Sequence, residues 1–263
     1  MSERPAPSLT GQRPARVSER RAALVTGAAG GIGRAIAARL TEDGFDVLSV
    51  DLTPDPDGPG VALQADLTDP EANAAAVGAA IDRFGRLDVL VPGAGVQHVA
   101  PVQEFPVERW HTLVALMLTS PFLLARAAWP ALSESGSGRF VAIASAHALV
   151  ASPFKAAYVS AKHGLLGLVK TLALEGAQAG ICATAVCPGY VRTPLVEAQI
   201  ADQAQAHGMA CEEVLEQVIL APHAIKRLIE PDEVAGVVAF LAGPAGSSFS
   251  GVPVTMDLGW SAR

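Results

Sequence analysis

Thr26-Gly27-Ala28-Ala29-Gly30-Gly31-Ile32-Gly33 decides how this chain is read. The apolar run 21–26 stands before it as a buried strand, and helical periodicity over 32–43 follows it. Gly27, Gly31 and Gly33 remove side chains where the backbone turns and where helix meets strand. The helix start then offers unpaired N–H groups and a positive dipole end, which suit a phosphate. The spacing departs from the common G-x-G-x-x-G signature, so the flanking strand and helix carry as much of the reading as the glycines do.

Outward from this turn, strands and helices alternate. A second strand over 45–50 ends at Asp51, and the Pro/Gly/Asp-rich stretch 53–60 is a loop. A third strand over 61–64 leads to Asp66, followed by an alanine-rich helix over 70–84. A fourth strand over 87–91 opens into Pro92-Gly93-Ala94-Gly95. A long helix over 108–131 carries Pro121 as a local distortion. The fifth strand, 139–144, ends at Ser145, and a helix over 158–175 follows. The sixth strand, 181–187, is closed by Pro188-Gly189. A helical excursion over 193–229, a helix over 232–241 and a strand over 252–256 complete the pattern. The alternation predicts an α/β fold: one Rossmann-type three-layer sandwich over 21–263, with a mostly parallel, seven-stranded sheet. Residues 190–229 are expected to form a helical lid over the substrate, with an oligomer contact or a structural insertion as the alternatives.

Composition narrows the function. The chain has 263 residues, half of them hydrophobic, and a formal net charge of -7. That charge opposes a broad nucleic-acid interface. Arg4, Arg13, Arg16, Arg20 and Arg21 make residues 1–20 and their border basic, and Pro5, Pro7 and Pro14 interrupt them. This reads as a flexible tail and no secretory signal. No uninterrupted 18-residue apolar stretch exists, so no membrane span is expected. Cys182, Cys187 and Cys211 suggest no disulfide framework, which favours a cytoplasmic setting. The six histidines lack metal-ligand spacing, so no metal is expected.

Asp51 stands eighteen residues after Gly33, at a strand end. A carboxylate there accepts both ribose hydroxyls of an adenosine and repels an added 2′-phosphate, so NAD is expected rather than NADP. Asp66 and the adjoining Leu67 are placed to touch the adenine, though Asp66 reads equally well as a turn cap. Ser145 lies thirteen residues before Tyr158, and Lys162 one helical turn after it. A phenol is a poor base at its usual pKa of about 10, and a neighbouring ammonium favours the phenolate. Tyr158 can then exchange a proton with an alcohol or ketone oxygen that Ser145 holds.

These motifs, from residue 21 to 261, resemble the short-chain dehydrogenase/reductase family. The segments Gln97-His98-Val99-Ala100-Pro101, Ala144-Ser145-Ala146-His147, Ser152-Pro153-Phe154-Lys155 and 188–196 resemble the branch that acts on (R)-3-hydroxybutyrate, as do Gln199-Ile200 and Met256-Asp257-Leu258-Gly259-Trp260. The resemblance implies reversible NAD-dependent oxidation of that hydroxy acid to acetoacetate. Ser145, Tyr158 and Lys162 would be catalytic. Thr26, Gly27, Gly31, Ile32, Gly33, Asp51, Asp66, Leu67, Gly95, Tyr158, Lys162, Pro188, Gly189, Val191 and Thr193 would hold the cofactor. Gln97, Ser145, His147, Lys155, Tyr158, Tyr190, Gln199 and Trp260 would hold the substrate, with Gln97, His147, Lys155 and Gln199 on its carboxylate. A homotetramer built on the 108–131 and 158–175 helices is also implied.

Three positions depart from the family pattern. Its Asn-Asn-Ala-Gly turn is Pro92-Gly93-Ala94-Gly95 here. Tyr190 stands where related dehydrogenases carry Trp. Met117 aligns with the helix Asn that helps hold a proton-relay water, and a thioether cannot replace an amide. Two alternatives therefore stand beside the leading reading: a related enzyme for another small hydroxy acid or ketone, and a weakly active or inactive NAD-binding scaffold.

Overall fold

The computed structural model describes residues 19–262. Of the basic tail expected over 1–20, all but Glu19 and Arg20 lies outside them. Among the described residues, strands β1 (Ala22–Thr26), β2 (Asp46–Asp51), β3 (Val61–Gln64), β4 (Val89–Val91), β5 (Arg139–Ile143), β6 (Cys182–Pro188) and β7 (Pro253–Met256) form one parallel sheet. Their spatial order is β3-β2-β1-β4-β5-β6-β7. The order reverses between β1 and β4, where the crevice at the strand ends receives ligands in such sheets.

Both faces are covered. Leu24, Leu48, Leu90 and Phe140 project to one side, against helices α2 (Pro70–Phe84), α4 (Ser120–Glu134) and α5 (Ala156–Gly176). Val25, Val47, Val91 and Val141 project to the other, against α1 (Gly31–Glu42) and α8 (Pro231–Ala242). Side chains alternate along a strand, and a sheet sandwiched this way needs apolar residues at both parities. That is why β1 is buried at every position. Phe140 is 1% exposed, and its truncation to Ala should cost about 3–5 kcal/mol through lost burial and a residual cavity.

The local signals act as their chemistry dictates. Asp69 caps α2 by accepting from Glu71 N, Pro70 opens the helix, and Gly85 closes it with φ of 73°. The helix expected over 108–131 is divided: α3 (Val107–Val114), a π-helical turn over Ala115–Thr119, then α4. Pro121 has no N–H for a carbonyl one turn back, and the ladder widens just before it, with Ser120 N reaching Ala115 O. By length and composition, residues 107–134 could cross a membrane. Here Leu113, Met117, Leu124, Ala128 and Leu132 from that stretch are buried inside the protein. The excursion contains α6 (Pro194–His207), α7 (Cys211–Val214) and a π-helical turn over Leu215–Ile219.

Candidate active site

Two connected cavities lie at the carboxyl ends of the strands. The first is a groove of about 610 Å³ bordered by Gly27, Gly31, Ile32, Gly33, Asp51, Asp66, Leu67, Gly95 and Thr193. The second, an inner pocket of about 130 Å³, is bordered by Ser145, Tyr158 and Lys162. It also contains Gln97, His147, Lys155, Tyr190, Gln199 and Trp260, together with Pro188, Gly189 and Val191. Ile32, Gly95 and Thr193 border both. Of the residues expected from sequence, Thr26 alone borders neither. Its hydroxyl accepts from Gly93 N and Ala94 N, tying the end of β1 to the turn after β4.

The groove is formed largely by backbone. Gly27 has φ of 72°, and a Cβ there would meet Ala94 Cα at 2.9 Å. At Gly33 a Cβ would fall 2.1 Å from Gly27 O, so only glycine lets α1 start against the turn. Helix α1 has no side-chain cap and no acid in its first turn, leaving its N-terminal dipole unneutralised beside the groove. These features fit a nucleotide diphosphate. Asp51 accepts from Ala29 N at 3.0 Å and from Thr53 N at 3.1 Å, so its carboxylate is fixed at the groove. Arg34 is paired with Asp55 and does not border the groove. Asp66 accepts from both Thr68 N and Thr68 Oγ1, the turn-cap geometry, while also bordering the groove.

The inner pocket is formed by side chains from segments far apart in sequence. Ser145 follows β5, Tyr158 and Lys162 lie on the first turns of α5, Tyr190 follows β6, and Trp260 follows β7. Lys162 is 4% exposed and donates to Ile143 O at 2.8 Å. Burial lowers its pKa to about 8. Its ammonium lies 5.6 Å from the centre of the Tyr158 ring. The sequence reading expected this ammonium to favour the phenolate. In the pocket, burial raises the Tyr158 pKa, opposed by its hydrogen bond with Ser145. Excluding water from the phenol disfavours its charged form.

The expected acid anchors differ in state. Lys155 is 6% exposed, and its Nζ donates to Tyr190 Oη at 2.9 Å. His147 is buried with both ring nitrogens engaged inside the chain, Nδ1 3.4 Å from Ser145 Oγ and Nε2 2.9 Å from Ser152 Oγ. Burial first, then the charge of Lys155, lowers its pKa to about 3, so it is a neutral hydrogen-bonding group. Gln199 Oε1 is buried without a hydrogen-bond partner. Trp260 stacks on Tyr190 at 5.6 Å and meets the His147 ring edge-on.

Met117 is 1% exposed on the π-helical turn, packed with Leu113, Ala157 and Ala161 and against Tyr158. A Cβ on Gly95 would lie 3.3 Å from its sulfur, so thioether fills the space under that turn. Sequence reasoning missed Ser152 as the His147 partner, Ile143 O as the Lys162 acceptor, and Leu195 and Val196 in the pocket wall. Leu195 and Val196 adjoin the Pro-opened helix after Thr193, a signal available in sequence. No local signal marks the other two contacts.

Comparison with known proteins agrees with this geometry. The family described as short chain dehydrogenase matches residues 21–204. D-beta-hydroxybutyrate dehydrogenase of Rhizobium meliloti is 43% identical over 254 residues, covering 92% of this chain and 98% of that protein. The enzyme of that name from Cupriavidus necator is 38% identical, with coverages of 92% and 98%. Among solved structures, ligand-free aldohexose dehydrogenase of Thermoplasma acidophilum superposes with a TM-score of 0.87 at 29% identity, covering 93% of this chain and 95% of that one. Extended similarity in sequence, the same fold, and serine, tyrosine and lysine meeting in one pocket lead to one conclusion: the chain belongs to the short-chain dehydrogenase family.

Proposed function

We propose that this dehydrogenase reversibly oxidises (R)-3-hydroxybutyrate to acetoacetate with NAD. The observation that carries the proposal is the buried, inward ammonium of Lys155 in the pocket that contains Ser145, Tyr158 and Lys162. A cation there, with the amides of Gln97 and Gln199, gives a small carboxylate directional contacts. A methyl group alone gives little discrimination, so polar anchoring must set specificity.

Gly27, Gly31 and Gly33 would receive the cofactor diphosphate, Asp51 its adenosine ribose, and Thr193 its carboxamide. Asp66 and Leu67 would flank the adenine. Bound there, NAD would supply the acceptor for the hydride of the alcohol carbon. Ser145 holds the substrate oxygen and stabilises its developing charge. Tyr158 takes the alcohol proton at Oη, or returns it to the ketone oxygen in the reverse direction. Burial keeps the phenol protonated near neutral pH, the state required for ketone reduction. Alcohol oxidation is therefore expected to gain as pH rises. Lys162, fixed by Ile143 O, orients Tyr158 and supplies positive charge while it stays protonated.

Residues 190–229 act in this reading as a lid that closes the substrate side. The 107–134 and 156–176 stretches serve as the contact faces of a homotetramer. Cys182, Cys187 and Cys211 are free thiols, in keeping with a cytoplasmic setting.

The test is a panel of three-, four- and five-carbon hydroxy acids and neutral alcohols, assayed with wild type and Lys155→Ala. The acid should lead and lose its lead in the variant. Preference for neutral alcohols, with Lys155→Ala silent, would falsify the assignment. A second reading, a weakly active NAD-binding scaffold, draws on the apolar packing of Met117 beside Tyr158. NAD binding without turnover, before and after Met117→Asn, would favour it.

A further inference from the structure

We propose that Tyr190 and Lys155 form one carboxylate clamp, in which the Tyr190 hydroxyl, held by the Lys155 ammonium, selects an acid over its neutral ester. The proposal rests on the hydroxy-acid reading above and adds the group that sets its substrate class. An ammonium only donates hydrogen bonds, so in the 2.9 Å contact the Tyr190 oxygen must accept. Its own O–H is therefore free to donate elsewhere.

The tyrosine ring is fixed. Trp260 stacks on it with planes 9° apart, and the edge of buried His223 meets it at 5.9 Å. The hydroxyl thus pays little ordering entropy when a ligand arrives. Lys155 and Tyr190 border both the inner pocket and the larger outer cleft beside it, so the pair stands where the two meet. No Asp or Glu borders either cavity among the described residues, and Lys155 has no carboxylate partner there. A buried cation without a counter-ion favours a ligand that brings the missing charge. One carboxylate oxygen can take a Lys155 N–H and the other the Tyr190 O–H. A neutral ester offers weaker acceptors and no charge.

Tyr190→Phe keeps the ring and its stack and deletes the donor. Its KM for (R)-3-hydroxybutyrate should rise roughly 10-fold, the scale of a hydrogen bond to a charged group. The rise for the methyl ester should be several-fold smaller, and the loss should fall on KM more than on kcat. In a Lys155→Ala background, Tyr190→Phe should add less than about twofold, because the two groups act as a unit. A KM for the acid within twofold of wild type, or equal losses for acid and ester, overturns the clamp. Acetate binding, followed by tryptophan fluorescence with acetamide as the neutral control, separates the clamp from the reaction. Acetate affinity that depends on Tyr190 supports the clamp even where no hydroxy acid turns over, and that outcome rejects the reaction alone. Wild type that binds acetate no better than acetamide rejects the clamp.

Discussion

The nucleotide groove and the reacting pocket adjoin, yet they are constructed in opposite ways. The groove relies on missing side chains: glycines at 27, 31 and 33, an uncapped helix start, and one carboxylate at a strand end. The pocket relies on side chains present but shielded: Ser145, His147, Lys155 and Lys162 are each 6% exposed or less. Backbone N–H groups keep their charge distribution whatever the pH, so the groove should tolerate pH change. Shielded ionisable groups change state with solvent access, so the pocket should carry the pH dependence. Binding and chemistry are thus separable, and variants on each side should fail in different ways.

The largest effect should come from Tyr158→Phe. It removes the proton-exchanging hydroxyl and should lower kcat by roughly 10²–10⁴-fold. NAD affinity, measured by calorimetry, should fall far less. Comparable losses in both would mean that the two cavities are not separable.

Acid should strike the pocket next. Burial, then the charge of Lys155, lowers the folded-state pKa of His147 from its ordinary 6.5 to about 3. The native state therefore binds fewer protons than the unfolded chain between these values, and stability falls as pH drops through that window. The contribution at stake is roughly 3–5 kcal/mol by pH 3. Denaturation profiles of wild type and His147→Gln should converge as pH falls, because the variant lacks the titrating group. Parallel profiles would remove His147 from the account.

On the groove side, Asp51→Ala should narrow the preference for NAD over NADP by roughly 10–100-fold, the scale of charged hydrogen bonds to a ribose. Steady-state assays with both cofactors measure it. An unchanged ratio would show that Asp51 serves only its contacts with Ala29 N and Thr53 N.

The smallest change is expected from Met117→Asn. It should raise kcat a few-fold, at about 1–3 kcal/mol of stability for placing an amide among Leu113, Ala157 and Ala161. Turnover and thermal unfolding together test it. Lower turnover at unchanged stability would mean that the thioether is already the better fit under Gly95.

The contrast between the cavities also explains what could be read in advance. Strand 61–64 and helix 70–84 matched the structure at both ends, because Val61 after the Gly/Pro-rich loop, and Asp69, Pro70 and Gly85 around the helix, mark them locally. The 108–131 helix was found with Pro121 as its distortion, but the widened turn at 115–119 was not, since it depends on how the freed carbonyls settle. Asp51 and the glycines were legible for the same local reason. The burial of Tyr158 was not legible in the same way. Sequence spacing reports that Lys162 is near, whereas the pKa depends on how much water the surrounding chain excludes.

Alternating apolar runs and spaced glycines determined the parallel sheet, its phosphate-binding turn and the presence of a serine, a tyrosine and a lysine at usable spacing, because each depends on neighbours a few residues away. Tertiary structure alone decided that Lys155 turns inward onto Tyr190, that His147 is neutral between Ser145 and Ser152, and that Met117 fills the space beneath Gly95. Those outcomes depend on desolvation and contact between segments dozens of residues apart, which a linear pattern does not encode.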